Sequence, residues 1–209
     1  VINNMFWSID SEKKILVITP HPDDESIGCG GVLSLYGKQC DVLLLTDGSK
    51  GDNKNEFEPK KLSLIRLKEI KKSLNYTLIN NLFCLNIPDG EVYKNYKKFC
   101  LFNYDKYDYI FIPNRYESHL DHSSVFVFFK HKYRLKKMKF QLIEYEVWTP
   151  LQNPSLIIDI SSVIENKINM IKCHKSQLKD LSYDMISIGL SLYRGNSCGV
   201  NFAEAFCPS

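Results

Sequence analysis

The stretch KKILVITP, residues 13–20, decides the fold, because a short apolar run after charged residues is typical of a strand buried on both faces of a parallel sheet. Similar runs occupy 41–46, 82–87, 107–113, 140–148 and 156–160. Segments with apolar residues three and four apart lie between them, for example over 67–74 and 164–171. This alternation predicts an α/β, Rossmann-like three-layer sandwich, in which a mainly parallel sheet carries helices on both faces and binds ligands at the carboxyl ends of its strands.

The composition indicates an ordinary globular protein. Of 209 residues, 44% are apolar and 24% are charged, and no internal repeat or linker-like segment interrupts the chain, so we expect one domain over 1–209. A formal charge of +3 with dispersed Lys and Arg argues against a nucleic-acid partner. We interpret the densest basic run, residues 130–139, as a solvated helix end.

The cysteines and the apolar runs indicate where in the cell the protein is expected. The seven cysteines are odd in number and none is two residues from another, so we interpret them as reduced, mostly buried thiols. No apolar stretch approaches the ~18 residues that span a bilayer, and residues 5–10 do not resemble a signal peptide. We therefore expect a cytoplasmic protein without a membrane segment, and a homo-oligomer on general grounds.

Two polar clusters each follow a predicted strand. HPDDE, residues 21–25, comes directly after the first strand, and HLDH, residues 119–122, follows the fourth by a short loop. Crowded carboxylates beside an imidazole repel one another unless a cation or a hydrogen-bond network offsets their charge. Imidazole with carboxylate suits zinc or ferrous iron better than magnesium or calcium, and a catalytic zinc takes three protein ligands and a water. The two clusters therefore predict one shared metal pocket.

Each cluster alone also has a structural interpretation. An acidic run before a helix commonly caps its N-terminus, and Asp121 could cap a helix that begins near Ser123. Two such clusters, each after its own strand, argue together for a site. His131 and His174 fall in predicted helices with no acidic cluster beside them in the sequence, and we interpret both as structural.

With these clusters the chain resembles the PIG-L/LmbE-like family of zinc-dependent de-N-acetylases, which includes deacetylases of mycothiol and bacillithiol synthesis and the enzyme acting on N-acetylglucosaminyl-phosphatidylinositol. The resemblance extends from Ile15 to Phe206. Beyond the two clusters it rests on shorter motifs in the family's order: TDG at 46–48, RLKE at 66–69, PDG at 88–90, EVWTP at 146–150, DIS at 159–161 with Lys167, HKSQ at 174–177, RG at 194–195 and AEAF at 203–206.

The resemblance implies a zinc-dependent N-deacetylase that removes acetyl from an N-acetylated amino sugar, an N-acetylglucosamine-type conjugate. It implies three metal ligands, namely His21, Asp24 and His122. Asp23 becomes the general base that takes a proton from the metal-activated water, because a carboxylate neutralised by coordination is a poor base. His119 would stabilise the tetrahedral oxyanion or protonate the departing amine, with Asp121 as its partner.

By the same resemblance, Arg66 and Asp89 hold sugar hydroxyls or an anionic aglycone. The structural alternatives are a helix-surface salt bridge for Arg66 and a turn residue for Asp89. Glu25 is grouped with them as a residue that orients a ligand or serves the helix N-terminus. One departure from the family is Leu120, where proline is usual, and because it removes no functional group we expect activity to survive.

Three other functions could use parts of the same sequence. A dinucleotide fingerprint begun in GCGG, residues 28–31, would need glycine or alanine where Leu33 stands, so these glycines are better explained by close packing of the first helix on the sheet. An inactive binding protein would need neither Asp23 nor His119. A metalloamidase that cleaves another amide, such as a thiol conjugate, stays open, because its ligands and base would be the same.

The small-molecule substrate is the least determined property. The loops expected to select it, residues 49–59 and 114–118, are polar and carry no recognisable motif. Free or conjugated N-acetylglucosamine, a nucleotide-linked amino sugar and a lipid-linked one all remain candidates.

Overall fold

The computed structural model describes residues 5–52, 54, 56–134, 138–179 and 182–209. Within these ranges the strands are β1 (Met5–Phe6), β2 (Ile15–Thr19), β3 (Cys40–Thr46), β4 (Asn81–Ile87), β5 (Tyr109–Pro113), β6 (Gln141–Tyr145), β7 (Leu156–Asp159) and β8 (Ala203–Pro208). The helices are α1 (Asp24–Tyr36), α2 (Pro59–Leu74), α3 (Tyr96–Cys100), α4 (Leu120–Lys132), α5 (Ile164–Lys172) and α6 (Tyr183–Cys198).

The strands form one sheet in the order β1-β7-β8-β6-β5-β2-β3-β4. All neighbouring pairs in it are parallel except β6 with β8 and β7 with β8. The chain runs outward from β2 to β3 and β4 on one side, and then returns to place β5 and β6 on the other side of β2. Such a reversal creates a crevice at the carboxyl ends of the two strands that flank it, which is where open α/β sheets bind ligands.

Alternating side chains of the central strands face two separate cores. On β2, Ile15 and Val17 pack in a cluster with residues of α1, α2 and α5. Leu16 and Ile18 point the other way, into an aromatic-rich cluster with α3 and α4. Every residue of β2 and β3 is buried, as expected for strands covered by helices on both faces. The predicted α/β three-layer sandwich with a mainly parallel sheet is confirmed.

Glycines allow α1 to lie close to the sheet, as the sequence predicts. A Cβ at Gly28 would overlap the Tyr145 ring on β6, and one at Gly31 would overlap Ile160. The helix is also interrupted at Cys29, whose φ of −133° is not helical. The carboxylate of Glu204 accepts hydrogen bonds from the amides of Gly31 (2.7 Å) and the following residue (2.9 Å), so a side chain of β8 satisfies donors that the interruption releases.

Several details differ from the sequence-based expectations. β1 and β8 were not predicted, and the predicted strand over 140–148 ends at Tyr145. Three of the seven cysteines are buried, fewer than expected: Cys29, Cys40 and Cys173. The basic run at 130–139 is exposed at Lys130, Arg134 and Lys139, while its residues 135–137 lie outside the described ones. None of the helices in the described ranges is long and apolar enough to cross a membrane.

Candidate functional site

The two polar clusters meet at the crevice beside β2 and β5. HPDDE leaves the carboxyl end of β2 and enters α1, while HLDH begins α4 after the loop that follows β5. Between them lies a cleft of about 320 Å³. It is lined by His21, Asp23, Asp24, Lys50, Gly51, Arg66, Asp89, Gly90, His119, Trp148, Ser176, Gln177 and Tyr183.

Three buried side chains converge on one point. Nδ1 of His21 lies 3.1 Å from Nε2 of His122 and 3.4 Å from Oδ2 of Asp24, and the same Asp24 oxygen lies 3.1 Å from His122 Nε2. A tetrahedral zinc with bonds of ~2.0–2.2 Å separates its ligand atoms by about 3.3–3.6 Å. The triangle is therefore close to the size that one such ion requires.

The other nitrogen of His21 faces two carboxylates. Its Nε2 lies 3.2 Å from Oδ2 of Asp121 and 3.2 Å from Oδ1 of Asp89. Asp121 is fixed in turn by the amides of Gly90 (2.8 Å) and Val92 (3.0 Å). A proton shared with these carboxylates leaves the Nδ1 lone pair directed at the triangle, the arrangement that orients metal-binding histidines. Asp121 therefore supports His21, and its predicted pairing with the His119 ring is wrong.

His122 is supported by Glu117, which the sequence analysis did not assign. Oε2 of Glu117 lies 3.5 Å from Nδ1 of His122, and both groups are fully buried. Neither atom has another hydrogen-bond partner among the described residues. A carboxylate behind a ligating imidazole fixes its tautomer and raises its basicity. Glu117 sits in the polar loop after β5, and a carboxylate two residues before His119 was the available signal.

The pKa values of the buried histidines and carboxylates in this cluster are shifted in the direction that favours a bound positive charge. Burial opposes protonation of His21, but hydrogen bonds to Asp121, Asp24 and Asp89 more than offset it and hold the His21 pKa well above its ordinary value. Burial likewise opposes protonation of His122, yet Asp24 raises its pKa to about 9. Burial disfavours the Asp89 anion, but His21 lowers the pKa of Asp89 to about 2. These carboxylates attract positive charge, whether a proton or a metal ion.

Asp23 is held apart from the triangle by a different set of contacts. Its backbone has a φ of 145°, a conformation that non-glycine residues rarely adopt and that costs on the order of 1–3 kcal/mol. The Asp23 amide donates to Oε2 of Glu25 at 3.1 Å, and its Oδ2 lies 3.2 Å from Nη2 of Arg66. Burial raises the pKa of Asp23 to about 6, although Arg66 opposes the shift. The strained backbone and these two partners aim the carboxylate into the cleft.

Glu25 and His174 form a buried pair beneath the cleft. Glu25 has no exposed surface and does not line the cleft, so a direct substrate contact is wrong for it. The alternative, a role at the helix N-terminus, agrees with the hydrogen bond that it accepts from the Asp23 amide. His174 lies after the end of α5, and its Nε2 is 3.2 Å from Oε1 of Glu25. The predicted helix does not reach His174, whose acidic partner comes from a distant part of the sequence and places it in the buried layer beneath Asp23. His131, in the last turn of α4, lies in a helix as expected.

The two remaining substrate candidates both line the cleft. Arg66 is buried and uses its Nη atoms on the carbonyls of Gly48 (3.0 Å) and Pro22 (2.9 Å) as well as on Asp23, so it is no helix-surface salt bridge. Asp89 accepts from the Lys50 amide at 3.0 Å with Oδ2, while Oδ1 faces His21. Their contacts with substrate stay predictions.

His119 closes the cleft opposite α1 and caps α4. Its Nδ1 accepts a hydrogen bond from the Asp121 amide at 3.2 Å, so α4 begins at Leu120 and Asp121 is not the cap. Because Nδ1 uses its lone pair there, the neutral ring carries its proton on Nε2. Burial, together with the positive charge of His21 and His122, lowers the His119 pKa. His119 is therefore a neutral hydrogen-bond donor beside the triangle.

We expect Glu117→Gln to weaken zinc binding by about 10–100-fold, the usual loss when the partner of a ligating histidine is removed. Oε1 of Glu117 accepts hydrogen bonds from the amides of 147–149. A glutamine oxygen can still accept them, so the change acts chiefly on His122. Competition with a chelator measures the affinity, and Glu165→Gln, an exposed carboxylate on α5, is the matched control. An unchanged zinc affinity would show that Glu117 has no influence on the site.

Comparisons with known proteins agree with this geometry. The family model described as PIG-L, GlcNAc-PI de-N-acetylase, matches residues 16–132. A diacetylchitobiose deacetylase of Thermococcus kodakarensis is 28% identical over 217 residues, which cover 92% of this chain and 81% of the relative. The structure of N,N'-diacetylchitobiose deacetylase from Pyrococcus horikoshii superposes with a TM-score of 0.81 at 25% identity, covering 94% of this chain and 84% of that one.

A further structural neighbour catalyses another reaction. The 4-carboxy-2-hydroxymuconate hydratase of Pseudomonas putida superposes with a TM-score of 0.73 over 94% of this chain and 95% of its own, at 17% identity. At that identity the likeness shows the fold alone. The function has to be argued from the residues in the cleft.

Proposed function

The chain belongs to the PIG-L, GlcNAc-PI de-N-acetylase family, and from this premise we propose that it is a metal-dependent hydrolase that removes the acetyl group of an N-acetylated amino sugar. The observation that carries the proposal is the buried triangle of His21, Asp24 and His122 beside a separately held carboxylate, Asp23, in one cleft. The two diacetylchitobiose deacetylases to which the chain is similar support an amino-sugar substrate.

His21, Asp24 and His122 would hold the ion, with zinc or ferrous iron favoured by their nitrogen and oxygen donors. Bound there, the ion supplies Lewis-acid chemistry, since it lowers the pKa of water and polarises a carbonyl. Two other groupings, His21 with His119 and His122 and His21 with Asp89 and Asp121, are also close enough to share an ion. We favour the first triangle because the family resemblance implies these three ligands. Both of its imidazoles are also backed by a buried carboxylate, Glu117 behind His122 and Asp121 behind His21, the arrangement that orients ligating histidines.

Asp23 acts as the general base in this proposal. It takes a proton from the attacking water as the water adds to the acetamide carbon, and a pKa near 6 suits a base that works near neutral pH. Arg66 keeps the carboxylate ionised and in place. The two neighbouring carboxylates thus have different roles in this proposal. Asp24 lies between the imidazoles of His21 and His122 and would bind the ion, whereas Asp23 lies against the Arg66 guanidinium and accepts the proton.

His119 stabilises the oxyanion that forms when water adds to the carbonyl. Its Nε2 proton is available in the neutral ring because the Asp121 amide engages Nδ1. The ring lies close to both imidazoles of the triangle, with centroids 4.6 Å from His21 and 5.1 Å from His122. Protonation of the amine is then completed by the proton that Asp23 has taken, and the C–N bond breaks to give acetate and a free amino sugar.

The test is acetate release from a panel of substrates by the zinc-loaded protein. We expect acetate and a free amine in equal amounts from N,N'-diacetylchitobiose or N-acetylglucosamine. An N-acetylated thiol amino acid represents the rival amidase. Turnover of the thiol compound alone would favour that rival, and no acetate from any member would refute the proposal.

A further inference from the structure

An aromatic pair, the exposed Trp148 and the partly buried Tyr183, forms one wall of the cleft. The Trp148 side chain is 38% exposed, and its ring lies 4.8 Å from that of Tyr183, measured between centroids, at an angle of 59°. Both residues line the same cleft as His21 and Asp23. An indole that remains exposed beside a catalytic centre offers an apolar face to a ligand, since aromatic rings stack on the flat apolar face of sugars and other rings.

The backbone that carries Trp148 is tied to the metal-suited triangle. Oε1 of Glu117 accepts hydrogen bonds from three consecutive amides, those of Val147 (3.2 Å), Trp148 (3.0 Å) and Thr149 (3.0 Å). Nδ2 of Asn114 holds the Thr149 carbonyl at 2.7 Å. The other oxygen of Glu117, Oε2, faces the imidazole of His122. One buried carboxylate thus fixes the position of the indole relative to the reacting centre, as a preorganised binding surface requires.

The remaining cleft wall favours a neutral ligand. Ser176 and Gln177 contribute uncharged polar groups that suit sugar hydroxyls. The Nη atoms of Arg66 are engaged by two carbonyls and Asp23. Among the described residues that line the cleft, Lys50 is then the cationic side chain that remains available to a ligand. A nucleotide diphosphate normally needs several hydrogen-bond donors for its phosphates.

We propose that Trp148 and Tyr183 form a subsite for a second pyranose ring, the neutral sugar linked to the one that carries the acetamide. The substrate class is then an amino-sugar disaccharide or longer oligosaccharide, in preference to a nucleotide-linked sugar. The assignment of the acetamide to the catalytic end rests on the proposed function. Binding of the sugar ring to the aromatic pair does not.

The kinetic test compares a disaccharide with a monosaccharide. For Trp148→Ala we expect kcat/KM on N,N'-diacetylchitobiose to fall about ten-fold, mainly through KM, with less than a two-fold change on N-acetylglucosamine. Trp148→Phe should recover part of the loss. The backbone hydrogen bonds to Glu117 do not involve the indole, so they persist in both variants. Tyr76→Ala, an exposed aromatic outside the cleft lining, is the control. Equal losses on both substrates, or no loss, would overturn the proposal.

A binding test works without turnover. The chain has two tryptophans, Trp7 and Trp148, so Trp7→Phe leaves the cleft indole as the sole tryptophan emitter, and Asp23→Asn added to it is designed to slow hydrolysis. We expect a saturable change in emission with N,N'-diacetylchitobiose at concentrations about ten-fold lower than with N-acetylglucosamine. Tighter binding of uridine diphosphate N-acetylglucosamine than of the disaccharide would overturn the proposal. A disaccharide response in this variant, with no acetate release by the zinc-loaded wild-type protein, would uphold the subsite and refute the deacetylase function. Acetate release by the wild type without a disaccharide response in the variant would do the reverse.

Discussion

Asp23→Asn should reduce kcat on an N-acetylated amino sugar by about 10²–10⁴-fold, the usual contribution of a general base. Asparagine has the same shape but cannot accept the proton at working pH. Among residues that carry a side chain, Asn and Asp adopt positive φ more readily than others, so asparagine suits the φ of 145° at this position. The loss should therefore report chemistry and not unfolding.

The same variant should keep its metal. Asp23 contacts Arg66 and Glu25 and is not part of the triangle, so zinc content measured beside kcat separates the two roles. Asp10→Asn, which changes an exposed carboxylate outside the cleft lining, serves as the control. If Asp23→Asn retained more than half of the wild-type kcat with zinc bound, another group would be the base.

His122→Gln is expected to weaken zinc binding by more than ~100-fold and to abolish acetate release, because loss of a ligand exceeds the 10–100-fold effect of losing its outer partner. His122 is fully buried and lies 3.1 Å from both other ligand atoms. The affinity is measured by competition with a chelator, and thermal unfolding of the metal-free proteins reports whether the fold is kept.

The matched control for this change is His131→Gln on the same helix. His131 is exposed in the last turn of α4, away from the cleft lining. The His131→Gln variant should keep both the zinc affinity and the turnover of the wild type. Comparable zinc affinity in His122→Gln and His131→Gln would remove His122 from the ligand set and favour an ion held by His21, Asp89 and Asp121, the alternative grouping.

The sequence was sufficient for the fold class and for the meeting of the two clusters. Buried runs alternating with helical periods predict a parallel sheet, and polar residues after β2 and β5 then share its carboxyl edge. The limits lay in pairings that depend on tertiary contact. β8 inserts antiparallel between β6 and β7 from the far end of the chain, and no local periodicity reports such a partner.

The supporting residues of the site were harder to foresee for the same reason. Glu117 contacts His122, a few positions later, and also the amides of 147–149, about 30 positions later in the sequence. His174 reaches Glu25 over a still longer separation. The sequence places Asp121 two positions after His119 but does not show which of its groups contacts that ring. In the structure the Asp121 amide donates to His119, while the Asp121 carboxylate points away from it and contacts His21.

The most direct test of the central claim is a zinc titration of the metal-stripped protein with acetate release as the readout. A triangle that holds one catalytic ion predicts no turnover at the start, a linear rise, and a break at one zinc per chain. Ferrous iron under anaerobic conditions should give the same stoichiometry. Full acetate release from the stripped protein, or activity that rises without a break at one equivalent, would contradict a single ion held by His21, Asp24 and His122.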